Sequence, residues 1–342
     1  MLVMEVVATI KERHDIDIVS KVNNLLELGI MRYRFNFAKI SSERDETSLF
    51  ETINKVVQID ENIKIMIDLP YPGKKNRLVC RERSIQINCN QEYVLHLYKN
   101  GNYSISEDEF FLEDETDGDL LCEGAILVYD MGEGAFSICN KKSSRVVKLK
   151  ALNSFKLSRG KGLTIGCISK RKYASVISRI CSNFFLPDSF VLSFVEDLND
   201  VRENEMLKKV FPSVKLISKI ETQNGIENIE DIINYSDGIM LGRGDLCLHS
   251  PICNLMDYER IVATMCKQHN CDCYFASGFL NSYLKSYLPT HSDIIDFSYA
   301  AQLNPNYLVL NTDLILSDRI KDVIKFISKV SFEIERRSND YL

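Results

Sequence analysis

Apolar and polar positions along this chain follow two rhythms. Up to residue 73, and again after residue 166, short apolar runs alternate with stretches whose apolar residues recur every three to four positions. The runs read as buried strands and the periodic stretches as amphipathic helices. Strands are expected at 3–10 (VMEVVATI), 31–37 (MRYRFNF) and 63–69. Asp15 or Asp17 opens a first helix through residues 25–28, closed by Gly29, and Ser41 or Ser42 caps a second to about residue 57. After the break come helices at 169–182, 199–210, 256–268, 293–301 and 317–336. Strands are expected at 190–195, 214–218, 238–241, 273–276 and 307–311. About eight strand–helix repeats with short connections are what a parallel barrel needs to close.

Residues 74–166 break the rhythm. SIQINC, YVLHLY, GAILVYD and RVVKLKAL are short, alternating segments. Turn signals part them at Asn100-Gly101-Asn102, Asp117-Gly118-Asp119 and Gly132-Glu133-Gly134. They predict antiparallel strands in a small all-β domain inserted after the third strand. The acidic stretch 107–119 (EDEFFLEDETDGD) reads as a solvated loop. The fold class is therefore α/β, a (β/α)8 TIM barrel with an insertion. Residues 1–73 and 167–342 form the barrel, and 74–166 the inserted domain.

Composition narrows the classes. A chain of 342 residues, 45% apolar, can hold a barrel of about 250 residues and an insertion. The net charge of −6 argues against general nucleic-acid binding. No apolar run reaches transmembrane length. The N-terminus runs into charge without a small-residue cleavage site, so it reads as a strand and not a signal peptide. The eleven cysteines lack paired zinc spacing, and Cys167, Cys181 and Cys266 fall in apolar surroundings. A reducing, cytoplasmic setting is expected. His14, His96, His249, His269 and His291 show no ligand spacing and read as surface or loop residues. Of these, His249 lies nearest the charged strand ends.

Those strand ends carry the candidate chemistry. Lys219 and Glu221 follow the run 214–218, and Asp245 follows 238–241. Between them Asn224, with Glu227 three residues on, reads as a capping box, and Ile226, Ile229, Ile232 and Ile233 recur at helical spacing. In a β/α barrel the C-terminal strand ends host the chemistry. Two carboxylates and an ammonium there suit a divalent cation and an anion. They would serve equally as ion-paired strand ends, and spacing leaves both readings open.

SKIETQNGIENIEDI and SDGIMLGRGDL resemble the metal-site segment of pyruvate kinases, with its SKIEN-x-x-G, its Asp-Gly-Ile-Met strand and its RGDLG turn. The likeness continues, less strongly, along nearly the whole chain. GIMRYRFNF resembles G-x-x-x-x-R-x-N-F-S-H-G, and IMIDLPYPGKKNRL resembles I-x-x-D-x-x-G-P-x-I-R. VLSFVED resembles the S-F-V-R segment and FASGFL resembles A-T-Q-M-L. The resemblance implies that Glu221 and Asp245 ligate Mg2+ or Mn2+. It implies that Lys219 stabilises charge on the transferring phosphoryl group and the enolate oxygen, and that Arg34 contacts that phosphoryl group. The Gly244 and Asp245 amides would hold the substrate carboxylate, and Ser277 stands in place of a threonine near the enolate. Asn36 and Asp68 match potassium ligands.

Some positions depart from the family pattern. The neighbouring threonine of the potassium site is here Leu69, and Lys74 or Lys75 would supply its charge, as lysine does in potassium-independent members. The first strand ends Thr9-Ile10-Lys11-Glu12 where the family has T-I-G-P. The eighth ends Asn311-Thr312-Asp313 where it has S-G-E-T. Both lie where the family handles nucleotide. The chain ends after its last predicted helix, so the resemblance implies that the family's C-terminal regulatory domain is missing.

The implied reaction is phosphoryl transfer from phosphoenolpyruvate to ADP, giving pyruvate and ATP in glycolysis, in an enzyme open to homo-oligomer formation. A metal-dependent lyase or aldolase that forms a pyruvate enolate is the second class. A non-catalytic homologue that keeps the fold is the third.

Overall fold

A computed structural model of the chain describes residues 4–11, 17–37, 43–69, 78–79, 84–97, 108–112, 123, 126–129, 133–143, 145–158, 163, 186–201, 208 and 211–340. The chain divides into two compact units, Met1–Pro70 with Ala174–Leu342, and Tyr71–Tyr173. In chain order the strands are β1 (Glu5–Ile10), β2 (Arg32–Asn36), β3 (Lys64–Asp68), β4 (Leu78–Val79), β5 (Ser84–Ile87) and β6 (Glu92–His96). They continue with β7 (Glu109–Leu112), β8 (Ile126–Tyr129), β9 (Gly134–Ser143), β10 (Val146–Ala151) and β11 (Phe155–Ser158). The last are β12 (Ser189–Leu192), β13 (Lys215–Ile220), β14 (Gly238–Gly242), β15 (Asp272–Ala276) and β16 (Tyr307–Leu310).

The first unit is a closed barrel of eight parallel strands in the order β1-β2-β3-β12-β13-β14-β15-β16, with β16 back against β1. Its strands are apolar nearly throughout because a parallel sheet is covered on both faces. Val7, Met66, Val191, Ile217, Met240, Tyr274 and Val309 form one buried cluster drawn from seven strands. The helices that link the strands follow their capping chemistry. Asp17 caps the helix Ile18–Glu27, accepting from the Val19 amide at 3.1 Å, and Gly29 (φ 80°) takes the left-handed turn after it.

One expected cap moves. The helical segment after β13 is capped by Thr222, whose hydroxyl accepts from the Gly225 amide at 3.3 Å, and not by Asn224. Asn224 lies inside Gln223–Glu227, where its side chain is no longer at the helix entrance. Ile226, Ile229, Ile232 and Ile233 are buried as their spacing implies. Among the described residues, no helix is long and apolar enough to cross a membrane.

The second unit holds a six-stranded sheet, β4-β7-β6-β10-β9-β8, and a two-stranded sheet, β11-β5. One expectation fails here. Within the stretch read as a solvated loop, β7 is a core strand, with Phe110, Phe111 and Leu112 buried. Three consecutive apolar residues outweigh the flanking acids. The four segments read as antiparallel strands do pair so, and the unforeseen β7 adds a parallel neighbour to β6. The core is aromatic: Phe136 meets Tyr93, Phe110 and Phe155 at centroid distances of 6.0, 5.6 and 5.3 Å. Gly134 is required beneath it, because a Cβ there would lie 2.4 Å from the Phe155 ring.

His96 is likewise no surface residue. It ends β6, stacked at 4.5 Å on Phe111 and 3.7 Å from Glu109. His269 and His291 are exposed at helix ends, as expected. Cys266 and Cys273 are buried. The expected caps Asp15, Ser41 and Ser42, the helix at 169–182, most of that at 199–210, and His14, Lys74, Lys75, Cys167 and Cys181 lie outside the described residues.

Candidate active site at the barrel mouth

Strand side chains alternate between faces, so residues two apart share one. Stepping two residues along each strand from the apolar interior cluster gives the next layer toward the C-terminal ends. Val7 leads to Thr9, Met66 to Asp68, Val191 to Ser193, Ile217 to Lys219 and Met240 to Gly242. Arg34 pairs in register with Thr9 on one side and Met66 on the other. On these strands the barrel interior therefore changes from apolar to polar within one layer, with Asp68, Lys219 and the neighbouring Arg34 as its charges, at the end where such barrels do chemistry.

The charged layer is a connected network. Asp68 is fully buried, and one of its oxygens accepts from Arg34 Nη2 and from Lys219 Nζ, the latter at 2.8 Å. Its other oxygen accepts from the Ser193 hydroxyl at 3.0 Å. Arg34 Nη1 donates to Thr9 Oγ1 at 3.2 Å, while its Nε is buried with no acceptor among the described residues. Lys219 Nζ also lies 3.6 Å from Glu221 Oε1, beyond hydrogen-bond length. Glu221 Oε2 accepts from the Phe194 amide at 3.0 Å. Arg34 and Asp68 thus form an ion pair, and that pair is part of the strand-end cluster. Asn36, the last residue of β2, sits opposite Asp68 in register.

Two backbone features mark the rim. Phe194 (φ 55°) and Ser277 (φ 78°) both hold the left-handed conformation, which costs a non-glycine residue about 1–3 kcal/mol. Phe194 in that conformation points its amide at Glu221. Ser277 follows the last residue of β15.

Glu221 and Asp245 bring the oxygen chemistry that a hard divalent cation takes. Ile220 pairs with Leu241, so Glu221 emerges beside Gly242. A Cβ on Gly242 would lie 2.6 Å from Glu221 Cγ, so glycine makes room for that side chain. Gly244 and Asp245 follow directly in the first turn of the helix Arg243–His249. Carboxylate oxygens suit Mg2+ or Mn2+. Among the described residues, no cluster of three or more Asp, Glu, His or Cys could hold a metal. Two protein carboxylates, with the rest from substrate and water, is a usual Mg2+ arrangement.

The family model "Pyruvate kinase, barrel domain" matches residues 3–305. The chain belongs to the pyruvate kinase family. Pyruvate kinase from Thermotoga maritima is 32% identical over 149 residues, 43% of this chain and 32% of that protein. Pyruvate kinase from Leishmania mexicana is 22% identical over 331 residues, 95% of this chain and 66% of that protein. Pyruvate kinase 1 from Trypanosoma brucei brucei is 21% identical over 329 residues, 94% of this chain and 65% of that protein. The chain thus spans between about a third and two thirds of the length of these pyruvate kinases.

Within the pyruvate kinase barrel, the structure brings Arg34, Asp68, Lys219 and Glu221 into one network, with Asn36, Gly244, Asp245 and Ser277 at adjoining strand ends. Sequence reasoning missed Thr9, Ser193, the Phe194 amide and Gly242 as parts of it. The period of two was the available signal for the first two. Nothing in the sequence marked Phe194 for a left-handed backbone. His249 makes an edge contact at 5.4 Å with Phe194, the residue whose amide anchors Glu221.

Proposed function

We propose that the barrel mouth binds phosphoenolpyruvate beside a divalent cation and transfers its phosphoryl group to ADP. The observation that carries this reading is the pairing of Lys219 and Arg34 with Asp68 and Glu221, in a barrel of the pyruvate kinase family. Two cations against Asp68, Glu221 and Asp245 leave one net negative charge, which a divalent cation reverses, so that an anionic substrate is attracted. Mg2+ or Mn2+, held by Glu221 and Asp245, supplies Lewis-acid polarisation of substrate oxygens when bound.

The chain's own residues do the remainder. The P–O bond to the enol oxygen breaks as a new one forms to the acceptor. Charge spreads over the phosphoryl oxygens in a loose transition state. Arg34, whose Nε has no acceptor among the described residues, and Lys219 neutralise that charge from fixed positions. The Gly244 and Asp245 amides hold the substrate carboxylate. The electron pair left on the enolate then takes a proton delivered from the Ser277 side. Because Arg34, Lys219 and Ser193 already surround Asp68, this turnover is independent of K+.

One observation favours enolate chemistry without nucleotide. Asn311, where the family's nucleotide region begins, is consumed by scaffolding. It accepts from the Leu314 amide at 2.9 Å and donates to Asn281 Oδ1 at 2.6 Å. A coupled assay for pyruvate from phosphoenolpyruvate and Mg2+, with and without ADP, separates the readings. ADP-dependent release supports the kinase. Proton exchange at the methyl group of pyruvate without ADP supports the lyase class, and neither signal overturns both.

A further inference from the structure

Arg243 opens the helix that carries Gly244 and Asp245, yet its guanidinium is spent inside the protein. It is 8% exposed and lies 3.9 Å from the centre of the Phe279 ring. Nη2 donates to Asp296 Oδ1 at 2.6 Å. Nε lies 3.0 Å from Glu259 Oε1, an ion-pair distance without the alignment of a hydrogen bond. Glu259 Oε1 and Arg243 Nη1 are both buried without a hydrogen-bond partner among the described residues. Two carboxylates therefore share one guanidinium, and Glu259, 2% exposed, is the less satisfied of them.

A buried, poorly matched carboxylate is costly unless it serves something. Its location supplies a use. It sits in the second turn of the helix Leu255–Gln268, with Arg243 facing it from the helix Arg243–His249 and Asp296 from the helix His291–Gln302. The Tyr299 phenol and the Cys247 thiol also feel its charge. Burial pushes its carboxyl up to about 7, with Arg243 opposing and Asp296 adding to the rise. A bare guanidinium two residues before Asp245 would oppose a cation held there. A unit charge at roughly 10 Å, in an effective dielectric of 20–40, changes the affinity for a divalent ion by on the order of ten-fold or more.

We propose that Glu259 is a positioning residue for the divalent-cation site, fixing and neutralising Arg243 together with Asp296 so that the Gly244–Asp245 turn accepts a metal ion. The inference rests on the reading of Glu221 and Asp245 as metal ligands. Glu259 does not touch the metal or the substrate. It acts through Arg243.

Mn2+ binding to the full chain, followed by water-proton relaxation at pH 6 and pH 8, tests it. Glu259→Gln keeps the shape and removes the charge. It is expected to weaken Mn2+ about ten-fold at pH 8 and little at pH 6, where the wild-type carboxyl is already largely protonated. Glu259→Asp is expected to recover part of the loss. Asp296→Asn removes charge from the other side of Arg243, and is expected to weaken binding at both pH values. It serves as the test if Glu259→Gln fails to fold. Glu221→Gln reports on the metal site itself. If Glu221→Gln abolishes binding while Glu259→Gln binds within two-fold of wild type at pH 8, the positioning role is overturned and the metal site stands. If the wild type binds no Mn2+, or Glu221→Gln binds as well as wild type, the metal-site reading falls and the role of Glu259 falls with it.

Discussion

The Lys219 ammonium reaches across β12 to the Asp68 carboxylate on β3, at 2.8 Å, inside a barrel that buries both residues. Asp68 also holds Arg34, so a single carboxylate sets the position of two cations. Cations held this way are available to a substrate without searching through rotamers.

Removing that carboxylate's charge should therefore be severe. Asp68→Asn leaves Arg34 and Lys219 in a largely buried space with their shared counter-ion gone. The expected cost is about 3–5 kcal/mol of folding stability. Urea unfolding measures it, and a loss below about 1 kcal/mol would contradict a shared, buried counter-ion.

Gly242→Ala tests the packing beneath Glu221. The new methyl group would lie 2.6 Å from Glu221 Cγ, so the glutamate must move. A loss of about 1–3 kcal/mol is expected from the overpacking alone. Mn2+ affinity is expected to fall at least ten-fold as well, as read by titration. Unchanged affinity would mean that Glu221 does not hold the metal where β14 ends.

Much of the architecture was legible in the sequence. The barrel strands are apolar runs of ordinary length, and Asp17, one of the two residues read as the first cap, bonds the helix start after it. Lys219 and Glu221 stood out as charges directly after an apolar run, though spacing alone allowed ion-paired strand ends as readily as a site. The second unit was harder to read. Phe110, Phe111 and Leu112 are framed by acids that dominate the local composition, so a core strand passed for a loop. The Asp68 network was hidden for a different reason. It joins residues from strands far apart in the chain, and no local pattern states which charges will meet.

Stability should carry a signature of Glu259. Its folded carboxyl is raised to about 7 from an ordinary value of 4.5, so the folded state binds the proton more tightly than the unfolded chain does. The group therefore costs nothing below about pH 4.5. Its cost grows as pH rises to about 7 and reaches roughly 3 kcal/mol above that. Across pH 5–8, wild type should lose stability relative to Glu259→Gln. Parallel melting curves for the two proteins against pH would show that Glu259 is not buried as described.

Monovalent cations should matter little. Both Asp68 oxygens already accept from protein donors, and the Lys219 and Arg34 charges repel a further cation there. Replacing K+ with tetramethylammonium at constant ionic strength is expected to change turnover by less than about two-fold, whereas an ion that completed the site would give the ten-fold or larger losses typical of a missing electrostatic contact. The assay follows pyruvate release in each salt.

The central claim is that Lys219 acts on the reacting phosphoryl and enolate oxygens, and its direct test is the turnover of Lys219→Ala with phosphoenolpyruvate, Mg2+ and ADP. Loss of one preorganised donor of this kind typically costs about 10²–10³ in kcat. A fall of that size, in a protein whose circular dichroism and Mn2+ affinity stay near wild type, is the predicted result. Turnover within a few-fold of wild type would contradict it.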